Sequence, residues 1–298
     1  ATNRIAAVAA AEDGPWAIAT IEISTGAFTV VEVDAAEVPD RLARLRPQEL
    51  LVPGDADGDA PGWPWLDDPS ARPCPATVRP GWTFEPANAA AELRERFGVA
   101  SLEGFGLDDR GAATAACGAV LRYAVEMSAG DERDARLAHL QPPRPEAGTG
   151  RLEVDAVALR SLEIERTVRG GERDGSLVGS MRRCRTPMGR RLLREWLCFP
   201  CADLDSIRGR HRRVATLVED RRLAGEVRRR LDEIQDVARI GGRIGLRRAT
   251  PRDLSALARS IVAAATLRED LAEVAAFAPD RTDLAATLAS IESLAVRT

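Results

Sequence analysis

Lysine is absent from the 298 residues, so all 42 side chains counted as Lys+Arg are arginine. That excludes the G-x-x-x-x-G-K-[ST] phosphate loop, whose lysine ammonium must reach the β and γ phosphates, and with it P-loop ATP hydrolysis by this chain. Aromatic residues make up only 4% of the chain and supply no interleaved platform for stacking single-stranded bases. Histidine occurs twice, at His139 and His211. The C-x-x-C pair Cys198 and Cys201 therefore lacks the company that a four-ligand structural zinc site needs, and buried cysteines at a helix end are the simpler reading. With Cys74, Cys117 and Cys184 the cysteines number five, odd and irregularly spaced. A secreted disulfide framework looks different, and a reducing cytoplasm fits. No apolar run approaches the roughly 20 residues of a membrane span. Arg4 interrupts the small apolar stretch 1–11, so no export signal is read there.

What is present is unevenly divided. Residues 1–150 hold 13 arginines and 24 acids, a balance of −11, whereas residues 151–298 hold 29 and 22, a balance of +7. The basic second half is compatible with nearby phosphates and equally with an ordinary solvated surface.

The first half reads as a mixed α/β domain, a sheet flanked by helices. Strands are expected over 4–10, 16–24 and 27–33, where Ile21, Ile23, Phe28 and Val30 alternate with polar neighbours such as Glu22 and Thr29. Ser24-Thr25-Gly26-Ala27 forms the turn between the last two. A helix over 38–45 and a strand over 49–52 follow. Residues 53–81, rich in Pro, Gly and Asp with Trp63 and Trp65, read mainly as an irregular surface excursion. Helices are expected over 86–97 and 111–127. Gln141-Pro142-Pro143-Arg144-Pro145 cannot continue a helix, and Gly148 and Gly150 lie just beyond, so the domain junction is placed at 140–150, with domains 1–145 and 146–298.

The second half reads as all-helical. Thr186-Pro187 opens a helix with a hydroxyl cap and a proline in the first turn, and Pro200 stops it. Met188, Leu192, Leu193, Trp196 and Leu197 fall on one side and Arg190, Arg191 and Arg194 on the other. Asp203 caps the next helix; another carries Leu223, Val227, Leu231 and Ile234. Thr250-Pro251-Arg252-Asp253 opens a further one with an approximate capping box. Gly241-Gly242-Arg243-Ile244-Gly245 is read as a helix break or a close-packing site.

No catalytic, cofactor-binding or metal-ligating set is read from these residues. Glu22 and Glu32 suggest paired carboxylates, but alternation is taken to put both on the face opposite the apolar residues, a solvated sheet face. Arg182, Arg183, Arg185, Arg190, Arg191 and Arg194 form a cluster suited to DNA phosphates through charge-assisted hydrogen bonds, or equally to acids of another domain.

Gly175-Ser176-Leu177, the run Thr186-Pro187-Met188-Gly189-Arg190-Arg191-Leu192-Leu193-Arg194-Glu195-Trp196-Leu197, and Pro200, Asp203, Ile207, Arg210 and Val214 closely resemble the core-domain signature of the MutS family. Asp155-Ala156 with Leu162-Glu163-Ile164, and Arg243, Arg247 and Asp253-Leu254, resemble the flanks of that core. Ile21-Glu22-Ile23-Ser24-Thr25-Gly26-Ala27-Phe28 and Leu102-Glu103-Gly104-Phe105-Gly106 resemble its connector domain. Met181-Arg182-Arg183-Cys184 departs from the family's usual Leu-Asp-x-Thr, and Cys201 stands where leucine is usual.

The resemblance implies an RNase H-like connector followed by part of the helical core and lever. It implies a parent protein that is a dimeric clamp on mismatched duplex DNA, a P-loop ATPase using ATP and Mg, cytoplasmic at the nucleoid. A MutL-type protein and a second MutS subunit are the implied partners, and the exposed face of the 86–97 helix, including Glu92, is expected to form part of the MutL-docking surface. Neither the mismatch-reading domain, the DNA clamp nor the ATPase is recognisable here. The alternative is a MutS relative without the mismatch reader, a scaffold holding recombination or other branched DNA intermediates.

Overall fold

The structure is a computed structural model that describes residues 3–11, 14–55, 57–68, 74–107, 111–128, 137–146, 152 and 154–295. By internal contacts the chain divides into two compact units, residues 1–149 with 241–248, and residues 150–240 with 249–298. Gly148 and Gly150 of the expected junction lie outside the described residues.

The first unit is built on a sheet. Its strands are β1 (Arg4–Ala9), β2 (Trp16–Glu22), β3 (Ala27–Val33), β4 (Glu49–Pro53), β5 (Ala76–Arg79) and β6 (Arg144–Pro145), in the order β5-β4-β1-β2-β3-β6. Its helices are α1 (Val38–Leu45), α2 (Pro64–Asp67), α3 (Pro86–Phe97) and α4 (Gly111–Met127). The β1–β2 and β2–β3 pairs are antiparallel; β1–β4, β4–β5 and β3–β6 are parallel. The meander β3-β2-β1 continued by parallel β4 and β5 is the RNase H-like arrangement that the resemblance implies. Tight reversal between β2 and β3 relies on Gly26 at φ +74, where a Cβ would also lie 2.1 Å from the His139 carbonyl oxygen.

Both faces of this sheet are buried. Ile5, Ala7, Ala17, Ala19, Ile21, Phe28, Val30 and Leu51 share a core with α4, an alanine-rich helix whose small side chains let it lie close on the strands. Ala6, Val8, Ile18, Leu50 and Val52, of opposite parity, are all 0% exposed. So are Val38 and Leu42 of α1. A sheet covered on both sides needs apolar residues at consecutive positions, which is why β1 and β2 carry near-continuous apolar runs.

Three expectations change. First, the 53–81 stretch is not simply irregular: it contains α2 and β5, and Trp63 packs against Trp16 at 4.6 Å and Trp65 at 5.5 Å. Second, Arg144–Pro145 pairs with Thr29 and Val30, and Glu146 accepts from Thr29 and Arg41, so the proline-rich run ends as an edge strand. Third, Glu22 and Glu32 do not share a solvated face. In the register Glu22 faces Ala27 while Glu32 faces Ala17, so they sit on opposite faces, about 17 Å apart along the hairpin. Glu22 is 7% exposed, its Oε1 accepting from the Asn3 amide at 2.8 Å and from Ser24 Oγ at 2.6 Å.

The second unit is helical. In chain order the helices from there on are α5 (Ala156–Ser161), α6 (Leu177–Ser180), α7 (Pro187–Cys198), α8 (Leu204–Glu219), α9 (Arg221–Glu233), α10 (Val237–Gly245), α11 (Pro251–Asp270) and α12 (Ala278–Ala295). Local chemistry sets the starts. Side chains of Asp155, Ser176, Thr186, Asp203 and Asp220 each accept the backbone N–H three residues on. Thr250 and Asp253 form a full capping box despite the shorter acid. Helix α10, whose end belongs to the first unit, runs through the glycine cluster unbroken. Close packing is what those glycines permit: a Cβ at Gly242 would meet the Ser24 carbonyl oxygen at 2.4 Å, and one at Gly245 the His139 Cβ at 2.7 Å.

Candidate nucleic-acid interface

Helix α7 and the residues before it carry the arginine cluster, and the structure splits that cluster in two. Arg191 donates from Nη1 and Nη2 to the Asp236 carboxylate at 2.6 and 2.8 Å. Arg185 donates to both oxygens of Asp232 in α9, and Arg194 donates to Glu165. These pairs tie α7 to acids of its own unit, and bidentate contact fixes geometry as well as charge. The expected arrangement, arginines outward and apolar residues inward, is thereby altered. Arg191 and Arg194 are partly covered, while Leu192 and Trp196 remain 45% and 40% exposed and only Cys198 of α7 is buried.

Arg182, Arg183 and Arg190 are exposed. Arg182 lies 4.0 Å from Asp174, a solvated pair of small energetic weight, and Arg183 and Arg190 have no ionic partner among the described residues. Arg185 is exposed as well, although paired, so the cluster presents Arg182, Arg183, Arg185 and Arg190 to solvent, where phosphates are reached.

The pairing shifts acid–base equilibria in the expected directions. Burial alone raises the Asp236 carboxyl, but the hydrogen bonds and charge of Arg191 outweigh it and hold it below the ordinary carboxylate range. Asp232 is likewise lowered, chiefly by its hydrogen bond from Arg185. Sequence reading missed Asp232, Asp236 and Glu165 as partners, and although Arg210 stood in the signature, its contact with Trp196, the guanidinium 3.7 Å from the ring centroid, was not foreseen. No local spacing announces them, since Arg191 and Asp236 are 45 positions apart.

In the first unit, Glu92 on α3 is half-buried rather than part of the fully exposed face. It accepts from Nε and Nη2 of Arg122 in α4 at 2.9 and 2.6 Å. The exposed residues of α3 are Pro86, Ala87, Asn88, Ala91, Arg94 and Glu95. Cys198 is buried and Cys201 partly so, neither of them in a disulfide, and His211 is exposed on α8. Among the described residues no group of three or more His, Cys, Asp or Glu is placed to hold a metal ion, and no helix is long and apolar enough to cross a membrane.

Residues 3–141 match the family model of MutS domain II, and residues 157–296 that of MutS domain III. The chain is 35% identical over 281 residues to the DNA mismatch repair protein MutS of Symbiobacterium thermophilum, covering 93% of this chain and 31% of that protein. To the MutS of Paracoccus denitrificans it is 35% identical over 295 residues, 98% of the chain and 32% of the relative. To that of Myxococcus xanthus it is 36% identical over 262 residues, 88% and 29%. The chain thus spans about a third of the length of these relatives. With two consecutive domain models accounting for nearly all of it, the chain belongs to the MutS family of DNA mismatch repair proteins, of which it carries domains II and III.

Proposed function

We propose that this chain is the structural and signal-transmitting middle of a MutS-type clamp on mismatched duplex DNA, with the nucleotide chemistry of ATP and Mg performed elsewhere in the parent protein. The observation that carries the reading is the divided arginine cluster. Arg185, Arg191 and Arg194 stiffen the signature helix against α9, the start of α10 and Glu165, leaving Arg182, Arg183 and Arg190 exposed without a close ionic partner among the described residues. A braced helix carrying outward guanidinium groups suits an element that feels the DNA backbone and transmits state without reading bases, since phosphate contacts position and base contacts specify.

The purified chain is then expected to bind duplex DNA weakly and with steep salt dependence, preferring a mismatched duplex by less than about tenfold, or about 1.4 kcal/mol. Replacing Arg182, Arg183 and Arg190 by glutamine should reduce the salt slope by about one for each phosphate that is no longer neutralised. Fluorescence anisotropy over a range of salt measures both. A strong mismatch preference in the chain, or an unchanged slope in the variant, overturns this division of labour.

For the parent protein's contacts we assign α3 and Glu92 to docking of a MutL-type partner, with a second MutS subunit completing the clamp. Glu92→Arg places two like charges together where Glu92 and Arg122 now pair. In the parent protein it is expected to weaken MutL association at least tenfold while urea stability falls by no more than about 1 kcal/mol. Unchanged association in a pull-down titration removes α3 from the docking surface.

A further inference from the structure

Two large apolar side chains exposed on the first unit line one hollow at the edge of its sheet. Val78 and Trp82 are 37% and 52% exposed. Val78 belongs to β5, the terminal strand on that side, and in the β4–β5 register it stands on the face away from α4. Trp82 lies in the Gly81–Phe84 turn directly after it. Exposed apolar residues scattered singly need no explanation; clustered around an open strand edge they mark a contact surface.

The tryptophan is also held in place. The Arg122 guanidinium lies 4.4 Å from the centroid of the Trp82 ring and is itself fixed on Glu92, and the Asn88 amide donates to the Trp82 carbonyl at 3.3 Å. A rigid, half-exposed tryptophan rimmed by charged pairs has the anatomy of a binding anchor, because little side-chain entropy remains to be given up on binding. Val78 and Trp82 line a surface hollow together with Asp55, Asp57 and Arg79, and the charge of Arg79 is met by its ion pair with Glu126, which leaves the two aspartates as the hollow's uncompensated charges. Asp55 Oδ1 accepts the Asp57 and Asp59 amides at 3.0 and 2.9 Å, and all three aspartates are exposed.

We propose that the β5 edge and this hollow dock an extended, positively charged segment of a partner protein. The segment adds as a strand on β5, sets an apolar side chain against Val78 and Trp82, and brings an arginine or lysine to Asp55 and Asp57. Pro75 and Pro80 bracket β5 and limit the pairing to its four residues, so side chains rather than main-chain length select the partner. Charge argues for a cationic segment: the carboxylates at the hollow belong to a half-chain with a balance of −11, which repels nucleic acid and attracts basic peptide. This site is separate from the arginine helix and stands or falls independently of the DNA-binding reading.

The test titrates the whole chain into fluorescein-labelled peptides of about ten residues with alternating valine and arginine. Comparison peptides carry glutamate in place of arginine, or alternate N-methylated amides that cannot pair with a strand edge. The expected result is saturable binding of the arginine peptide, weakened at least tenfold by N-methylation, by glutamate, by Trp82→Ala and by the double change Asp55→Lys with Asp57→Lys. Both variants alter exposed residues, and unchanged circular dichroism and urea midpoints establish that they fold. Equal binding of the glutamate peptide, indifference to N-methylation, indifference to Trp82→Ala, or no binding up to about 1 mM peptide overturns the proposal.

Discussion

Replacing Gly118 with leucine is expected to destabilise the first unit by about 3 kcal/mol, the upper range for forcing extra volume into a packed interior. Gly118 lies in α4 where α3 crosses it, and even a bare Cβ there would stand 2.3 Å from the Ala89 Cβ and 2.6 Å from its Cα. Those atoms belong to backbone and to the shortest of side chains, so nothing swings aside; α3 has to move as a body. Gly118→Ala is the sharper test because its sign is diagnostic. In an unobstructed helix, alanine for glycine stabilises by about 0.5–1 kcal/mol. At position 118 the same change should cost about 1–3 kcal/mol. Gly225 in α9, where an added Cβ meets nothing within 4 Å, supplies the control and should show the ordinary gain. Urea unfolding followed by far-ultraviolet circular dichroism measures all three; a stabilising Gly118→Ala would mean that α3 and α4 do not cross this closely.

The second large effect is expected at the Arg191–Asp236 pair, whose side chains are 27% and 15% exposed. Removing either partner leaves a half-covered charge facing an unmade bidentate contact, which costs about 2 kcal/mol. Asp236 also accepts the Arg239 amide at 3.4 Å, so Asp236→Ala loses a cap as well as a charge. A double-mutant cycle with Arg191→Ala separates the two, and its coupling energy should be about 1 kcal/mol or more. The pH dependence has a definite sign. Because the folded state holds Asp236 below its ordinary value, the unfolded chain takes up this proton first. The contribution is complete above the unfolded carboxylate pKa of about 3.9 and is lost as pH falls through the lower folded value. The wild-type advantage over Asp236→Asn should therefore be constant near neutrality and shrink in strongly acidic solution. A coupling below about 0.3 kcal/mol, or an advantage that persists undiminished in acid, would reduce the pair to an ordinary surface contact.

Sequence reading succeeded where the deciding physics is local. Helix starts at Thr186, Asp203 and Thr250 were legible because a cap satisfies an amide three residues away. The reversal between β2 and β3 was legible because only glycine takes a positive φ without strain. It failed where partners lie far along the chain. Alternation around Ile21 correctly separated Glu22 from the α4 face, yet gave no hint that the second face is covered as well, which is why Glu22 is buried. Glu32 is a different case: counting the same parity onward from Phe28 and Val30 already puts it with them, so that error lay in the alternation within one strand and needed no distant partner to correct. Nothing in four residues between prolines marks β5 as a strand until β4 lies beside it.

The arginine cluster shows the same boundary most clearly. Its residues, their helix and their family signature are all properties of a short run of sequence, and so was the membership that the two domain models establish. The division between braced and outward arginines depends on Asp232, Asp236 and Glu165 arriving from distant positions. By itself the sequence determined a mixed sheet domain, a helical domain, their order and their family, because periodicity, caps and signature runs act over a few residues. Only tertiary structure decided which charges are paired within the chain and which stand without a close partner, because an ion pair is set by distance in space and side chains three positions or forty-five apart compete for the same carboxylate on equal terms.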